Sequence, residues 1–369
     1  MTRTLAAALA FTALTTLAAI PAAAQAQSSP AAIAKGYKAP HNHWGQPDLS
    51  GAWTNATITP FERDAKLGDR LVLTPEEAAA AEGANAKLNE DGAKPTDPKL
   101  KVTDLPYECG RGFKGVDCGY NNFWVDPGTK IIRMNGEARA SVIVEPRNGR
   151  MPPLTPAAMK AIQARFGNAR MGNFDGPERR PLGERCIMSF GSSAGPPMLP
   201  SLYNNNYAIM QTPDTVMIQV EMVHDTRLIR LNAEHDKSGV RKWMGDSVGH
   251  WEGETLVVDT INMRPEQTLR GGGSAAGLHV VERFTRISPQ QILYQFELDD
   301  PATYTAPIKG EVAFNTTKGP IYEYACHEGN YALPGILAGA RAEEKAGREM
   351  EGNRGEVKEE GEEAAKPAP

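Results

Sequence analysis

Seven histidines in 369 residues are few enough for the position of each to be informative. His224 closes the run Val216-Met217-Ile218-Gln219-Val220-Glu221-Met222-Val223-His224, whose period-two alternation predicts a ring on the face shared by Val216, Ile218, Val220 and Met222. An imidazole among apolar neighbours resists protonation, as a general base requires. Glu221 and Glu282 are the carboxylates expected to tune it. Glu282 alternates with Leu278, Val280 and Phe284, and a carboxylate on an apolar face is costly unless paired. Two titratable groups inside one barrel are a starting point for acid–base chemistry, although the same pair would serve as a core hydrogen bond. His279 falls on the opposite face from Glu282.

A second group gathers Asp246, His250 and Glu252 between Trp243 and Trp251. His250 with Asp246 suits an acid–base couple or half of a metal site, and the indoles suit an aromatic pocket. The alternative is a turn capped by Asp246, with the indoles packing the end of a barrel. Arg227 or Arg283 is the expected anchor for an anionic group, and His279 and His327 complete the substrate-binding set. His41 and His43 lie in a linker, where solvated histidines are the simpler reading.

Two stretches match G-x-S-x-G, Gly191-Ser192-Ser193-Ala194-Gly195 and Gly245-Asp246-Ser247-Val248-Gly249. A nucleophile elbow needs a strand before the Ser and a helix after it. Pro196-Pro197 forbids the helix in the first case, and a strand follows in the second. Gly271-Gly272-Gly273-Ser274 lacks the lysine and flanking elements of a phosphate cradle. No nucleotide fingerprint appears, so cofactor-independent chemistry is expected, with no metal.

These residues must be positioned mainly by strands. Tyr207–Thr212, Thr215–His224, Arg227–Leu231, Arg241–Met244, Thr255–Ile261, His279–Ile287, Gln291–Leu298, Ile308–Phe314 and Ile321–Cys326 all read as strands separated by short turns. Leu49–Thr54 and Ala140–Glu145 are further candidates. Such a succession predicts a mainly β fold, an antiparallel meander forming a lipocalin-like barrel or strongly curled sheet. A few peripheral helices are expected. Thr74-Pro75-Glu76-Glu77 announces one that fades by Gly92, and Thr155-Pro156 another running to Phe166.

The ends differ from the body. Arg3 followed by the uncharged run Leu5–Ile20 and small residues near Ala24 and Ala26 reads as a secretory leader, residues 1–26. A linker, 27–47, leads into one elaborated β domain, 48–340. Its first part (48–200) is rich in loops and helices, and its second (201–340) is the meander. Residues 341–369 form a charged tail with nine acidic and six basic residues. The formal charge of −5 without a basic run argues against nucleic acid as a partner, and no segment after the leader is apolar enough to span a membrane. Export to the periplasm or medium favours disulfides among Cys109, Cys118, Cys186 and Cys326. Of three connectivities, the short Gly-rich loop between Cys109 and Cys118 favours a local bridge, which leaves Cys186 with Cys326.

The stretch Gly245-Asp246-Ser247-Val248-Gly249-His250-Trp251-Glu252-Gly253-Glu254-Thr255-Leu256-Val257-Val258-Asp259-Thr260 resembles the GDSVGxWEGxTLVVDT signature of a group of exported bacterial proteins of undefined activity. The resemblance extends to Glu221–Asp225, His279–Phe284 and Tyr322–Tyr331, and covers about Trp44 to Arg341. Gly51-Ala52-Trp53 is also similar to the G-x-W signature of lipocalins. That similarity concerns fold and carries no function.

Together these readings predict an exported enzyme with a small, partly apolar substrate in a barrel cavity. Addition, elimination, isomerisation or hydrolysis would be driven by His224, Glu221, Glu282, His250 and Asp246. A non-catalytic binder of a hydrophobic ligand is the alternative.

Overall fold

The computed structural model describes residues 37–93, 99, 126–168, 174–189, 194–269 and 274–346. The stretch read as a leader, Cys109 and Cys118, Gly191 to Ser193 of the first G-x-S-x-G and most of the charged tail lie outside them.

Nine strands close into a barrel in the order β1 (Gly51–Thr54), β6 (Asn206–Gln211), β7 (Thr215–Val220), β8 (Thr226–Leu231), β9 (Asp246–Glu252), β10 (Thr255–Ile261), β11 (His279–Ser288), β12 (Gln291–Asp299) and β13 (Ile308–Thr316). Pairing of β13 with β1, at Trp53↔Thr316 and Thr54↔Asn315, completes the circle. β5 (Ile143–Glu145) adds to β13 from outside, and β2 (Val72–Leu73), β4 (Glu137–Arg139) and β3 (Arg133–Met134) make a small separate sheet. The mainly β barrel expected from the turn rhythm is therefore the fold.

Four features depart from that expectation. β8 and β9 run parallel, sharing only the pairs Ile229↔Ser247, Arg230↔Val248 and Leu231↔Gly249. A parallel pair needs a crossover of about a dozen residues or more; here residues 232–245 cross the outer wall. That crossover contains Arg241–Met244, which is not a strand and keeps only a bridge from Lys242 to Met263. Asp246–Glu252, which was not among the expected strands, is the strand that follows it. Ile321–Cys326 is likewise irregular chain.

The helices follow their caps. α1 (Pro75–Gly92) begins at Thr74, whose hydroxyl accepts from the Glu77 N–H while the Glu77 carboxylate accepts from the Thr74 N–H. α2 (Pro156–Asn168) starts where Thr155 accepts from the Ala158 N–H. α3 (Ala332–Lys345) continues past the expected body–tail boundary at residue 341. No helix among the described residues is long and apolar enough to cross a membrane.

Alternation aims Tyr207, Phe284, Tyr294, Phe296 and Phe314 inward, where they fill the lumen. Ring centroids lie 4.9 Å apart for Tyr207–Phe314 and Phe284–Tyr294, and 5.3 Å for Tyr294–Phe314. The buried residues Ala194, Met198 and Leu199 close one mouth. Register places the start of β6, the end of β7 and the starts of β8, β9 and β11 at a common rim.

Gly310 on β13 faces Phe296 across the ladder, and a Cβ there would meet the Phe296 Cζ at 2.2 Å. Gly310→Ala is expected to lower unfolding free energy in urea by about 1–3 kcal/mol, the range for overpacking. Phe296→Leu in the same chain should recover part of it.

Candidate functional site

The residues singled out from sequence fall into three places rather than one. The first is the core. Arg227 and Glu282 form a fully buried bidentate pair, Nη1 to Oε1 at 2.9 Å and Nη2 to Oε2 at 2.5 Å. Burial works against the Arg227 charge, but Glu282 outweighs it and holds the guanidinium above its usual pKa. The Tyr294 hydroxyl donates to Glu282 Oε1 at 2.8 Å and accepts from the Met198 N–H at 2.9 Å. Burial and the neighbouring Glu282 charge push that phenol well up. Glu282 is thus the paired inward carboxylate that alternation indicated, but its partner is Arg227 rather than a histidine. Arg227 holds no exposed anion.

The second place is the outer wall beside the crossover. Asp246, buried at the start of β9, receives Arg230 Nη2 at 2.9 Å, His235 Nδ1 at 3.1 Å, the Asp236 N–H at 2.9 Å and Lys242 Nζ at 3.2 Å. Burial alone would lift this carboxyl, but these four donors bring it down to about 2. His235 continues from Nε2 to Asp259 Oδ1 at 2.9 Å, and Asp259 Oδ2 lies 2.9 Å from His279 Nε2. The expected Asp246–His250 couple does not form: His250 is exposed two alternations along the strand and meets Glu252, which also holds Arg283. Both indoles pack against the core, and Trp243 also lies under the Arg264 guanidinium at 4.4 Å. His235, Asp259 and Arg230 went unremarked in the sequence because only the parallel crossover brings them together.

The third place is the rim turn between β7 and β8. β7 ends at Val220, so His224 is not carried inward; it is exposed. A 3-10 turn (Met222–His224) replaces the expected strand end, with Val223 at φ 58° and His224 at φ 47°. Left-handed backbone at a β-branched residue is strained, and such strain collects at functional sites. His224 Nδ1 lies 3.2 Å from the Tyr324 carbonyl. A carbonyl only accepts, so this contact places a proton on Nδ1 and leaves Nε2 as the ring nitrogen without that partner. Next to it, burial raises the Asp225 carboxyl to about 6, against the Ser189 N–H and the His224 ring, which pull it down. Asp225 Oδ2 is buried without a hydrogen-bond partner.

The segment following β13 lies over this turn. Buried Glu221 accepts from Asn206 Nδ2 at 2.5 Å and from the Tyr322 N–H at 3.2 Å. Cys326 is bridged to Cys186, the pairing the sequence favoured; Cys109 and Cys118 lie outside the described residues. Tyr324 and Cys326 line an open cleft of about 530 Å³ with Glu323, Glu328, Leu333 and Ile336. His327, one residue past the bridge, is exposed. In the linker, His41 faces Glu254 at 3.4 Å and His43 stacks on Trp44.

No family model, no curated protein and no solved structure matches this chain.

Two outcomes follow. Glu282→Gln leaves Arg227 buried and uncompensated and should cost about 3–5 kcal/mol in chemical unfolding, whereas Arg227→Met with Glu282→Leu should recover most of that loss. Asp225 behaves oppositely, because its folded pKa of about 6 exceeds its ordinary 3.8. Folding then carries a penalty that is absent below about pH 4, grows between pH 4 and 6 and is complete above about pH 6. Asp225→Asn should therefore stabilise the protein by about 3 kcal/mol at pH 7.5 and by almost nothing at pH 4, measured by urea unfolding at both.

Proposed function

We propose that this chain is an exported, cofactor-independent enzyme that performs general acid–base chemistry on a small, partly apolar substrate at the barrel rim. His224 is the base and Asp225 the acid. The observation that carries this reading is the Nδ1 contact from His224 to the Tyr324 carbonyl, which leaves Nε2 open beside a carboxyl lifted to about 6. An imidazole with one ring nitrogen open, beside a carboxyl that holds its proton up to about pH 6, supplies a base and an acid within one turn. Lyase, isomerase and hydrolase reactions all use such a couple. Glu221 is a positioning residue: through Tyr322 it holds the segment that supplies the carbonyl. His250, Asp246, Glu282, Trp243, Trp251, Arg227, Arg283 and His279 have structural partners elsewhere and are left out of the reacting group.

The leader, the Cys186–Cys326 bridge and the resemblance to exported bacterial proteins support secretion to an oxidising compartment. A second reading, a hydrophobic-ligand binder, draws on a cleft of about 350 Å³ lined by Ile58, Phe61, Leu199 and Leu202. It predicts dye or lipid binding there that is indifferent to His224.

Turnover should be screened on chromogenic esters and on small unsaturated and hydroxy acids. Where turnover is found, His224→Asn should lower kcat by about 10²–10⁴-fold, with the melting temperature held within a few degrees. Asp225→Asn should remove the limb of the pH–rate profile near pH 6. Equal turnover in wild type and His224→Asn would overturn the proposal.

A further inference from the structure

We infer that the Cys186–Cys326 disulfide is a redox latch that sets the tautomer of His224. This rests on the reading of His224 as the base. The segment from Thr317 to Tyr331 contains no strand or helix and presents Tyr322 and Tyr331 to solvent at 70% and 84% exposure. Its non-covalent ties to the body are few. The Thr317 N–H reaches the Ala52 carbonyl at 3.1 Å, the Tyr322 N–H reaches Glu221, the Tyr324 phenol bonds to that of Tyr203, and Asn330 Nδ2 reaches the Glu184 carbonyl at 3.3 Å.

Tyr324 packs against the core, but the rest of the segment buries little apolar surface, the condition under which local opening costs least. The covalent tie falls two residues beyond Tyr324, and its other end is Cys186, at φ 55° in the loop that also contains Ser189, the donor to Asp225. One bridge therefore fixes both the carbonyl that orients His224 and the loop that borders Asp225. Neither cysteine is a fully buried residue. The barrel itself, with its closed ladder and filled lumen, does not pass through this tie.

A soluble dithiol would deliver two electrons and two protons: the S–S bond breaks, Cys186 and Cys326 become thiols, and the dithiol closes its own disulfide. The untethered segment then leaves the turn, the Tyr324 carbonyl no longer meets Nδ1, and His224 loses its fixed tautomer. The oxidised protein is the competent form and the reduced protein the idle one.

The test uses the full chain with Cys109→Ser and Cys118→Ser, so that only one bridge responds. Long-range ¹H–¹⁵N correlation of the His224 ring reports which nitrogen bears the proton, independently of any substrate. The expected result is Nδ1–H as the dominant form when oxidised and as a minor form after reduction or in Cys326→Ser. The strand amides should keep their shifts, and any turnover should fall by about a hundredfold. An unchanged tautomer after reduction would overturn the latch and leave the acid–base proposal standing. Collapse of the strand signals would also overturn it, because the bridge would then be a global staple. Turnover that survives His224→Asn while the tautomer still switches would sink the acid–base proposal and leave the latch in place.

Discussion

The Arg227–Glu282 pair is the constraint around which the barrel is organised. Arg227 begins the inward face of β8 and Glu282 sits on β11, so their bidentate bond spans the two intervening strands. Taken alone, each charge would be intolerable at such a depth, and even together they gain little over an apolar pair. What they contribute is specificity, since only one pairing of β8 against the sheet lets the two meet. This matters because β8 joins β9 through just three parallel residue pairs. The weak seam is held from inside by Arg227–Glu282 and from outside by Arg230 and His235 on Asp246.

A lumen occupied by this pair and five aromatic rings has no use as a binding chamber. Tyr294 shows how completely the inside is committed: its hydroxyl satisfies Glu282 and also receives the backbone of the segment that closes the mouth. The rim differs, because loops there can be strained and polar groups left short of partners without loosening the core.

Much of the architecture could be read from the sequence. Alternation and turns located β6, β10, β11, β12 and β13 to within a residue or two, and the Thr-Pro caps located α1 and α2. Period-two alternation also put Glu282 inside correctly. It failed at His224 because the apolar pattern continues through Met222 while the backbone does not. Val220 is the last paired residue, and Met222 and Val223 are buried by a turn rather than by a strand. The clustering of His235 with Asp246, Asp259 and His279 was illegible for another reason: a period describes one strand, whereas this group depends on a parallel crossover that no local pattern announces.

Asp225 and Asp246 lie at the same rim and show how environment divides the work between identical side chains. Asp246 is surrounded by four donors, which drive its pKa to about 2 and leave it nothing to exchange near neutrality. Its charge is consumed in pinning the crossover. Asp225 receives the Ser189 N–H but keeps a buried bare oxygen, and burial raises it to about 6. Keeping Asp225 ionised above that pH works against folding, so the strained turn is a place where the structure gives up stability. A carboxyl that the fold stabilises as an anion serves the scaffold. One that the fold destabilises, as at Asp225, changes its protonation near pH 6 instead.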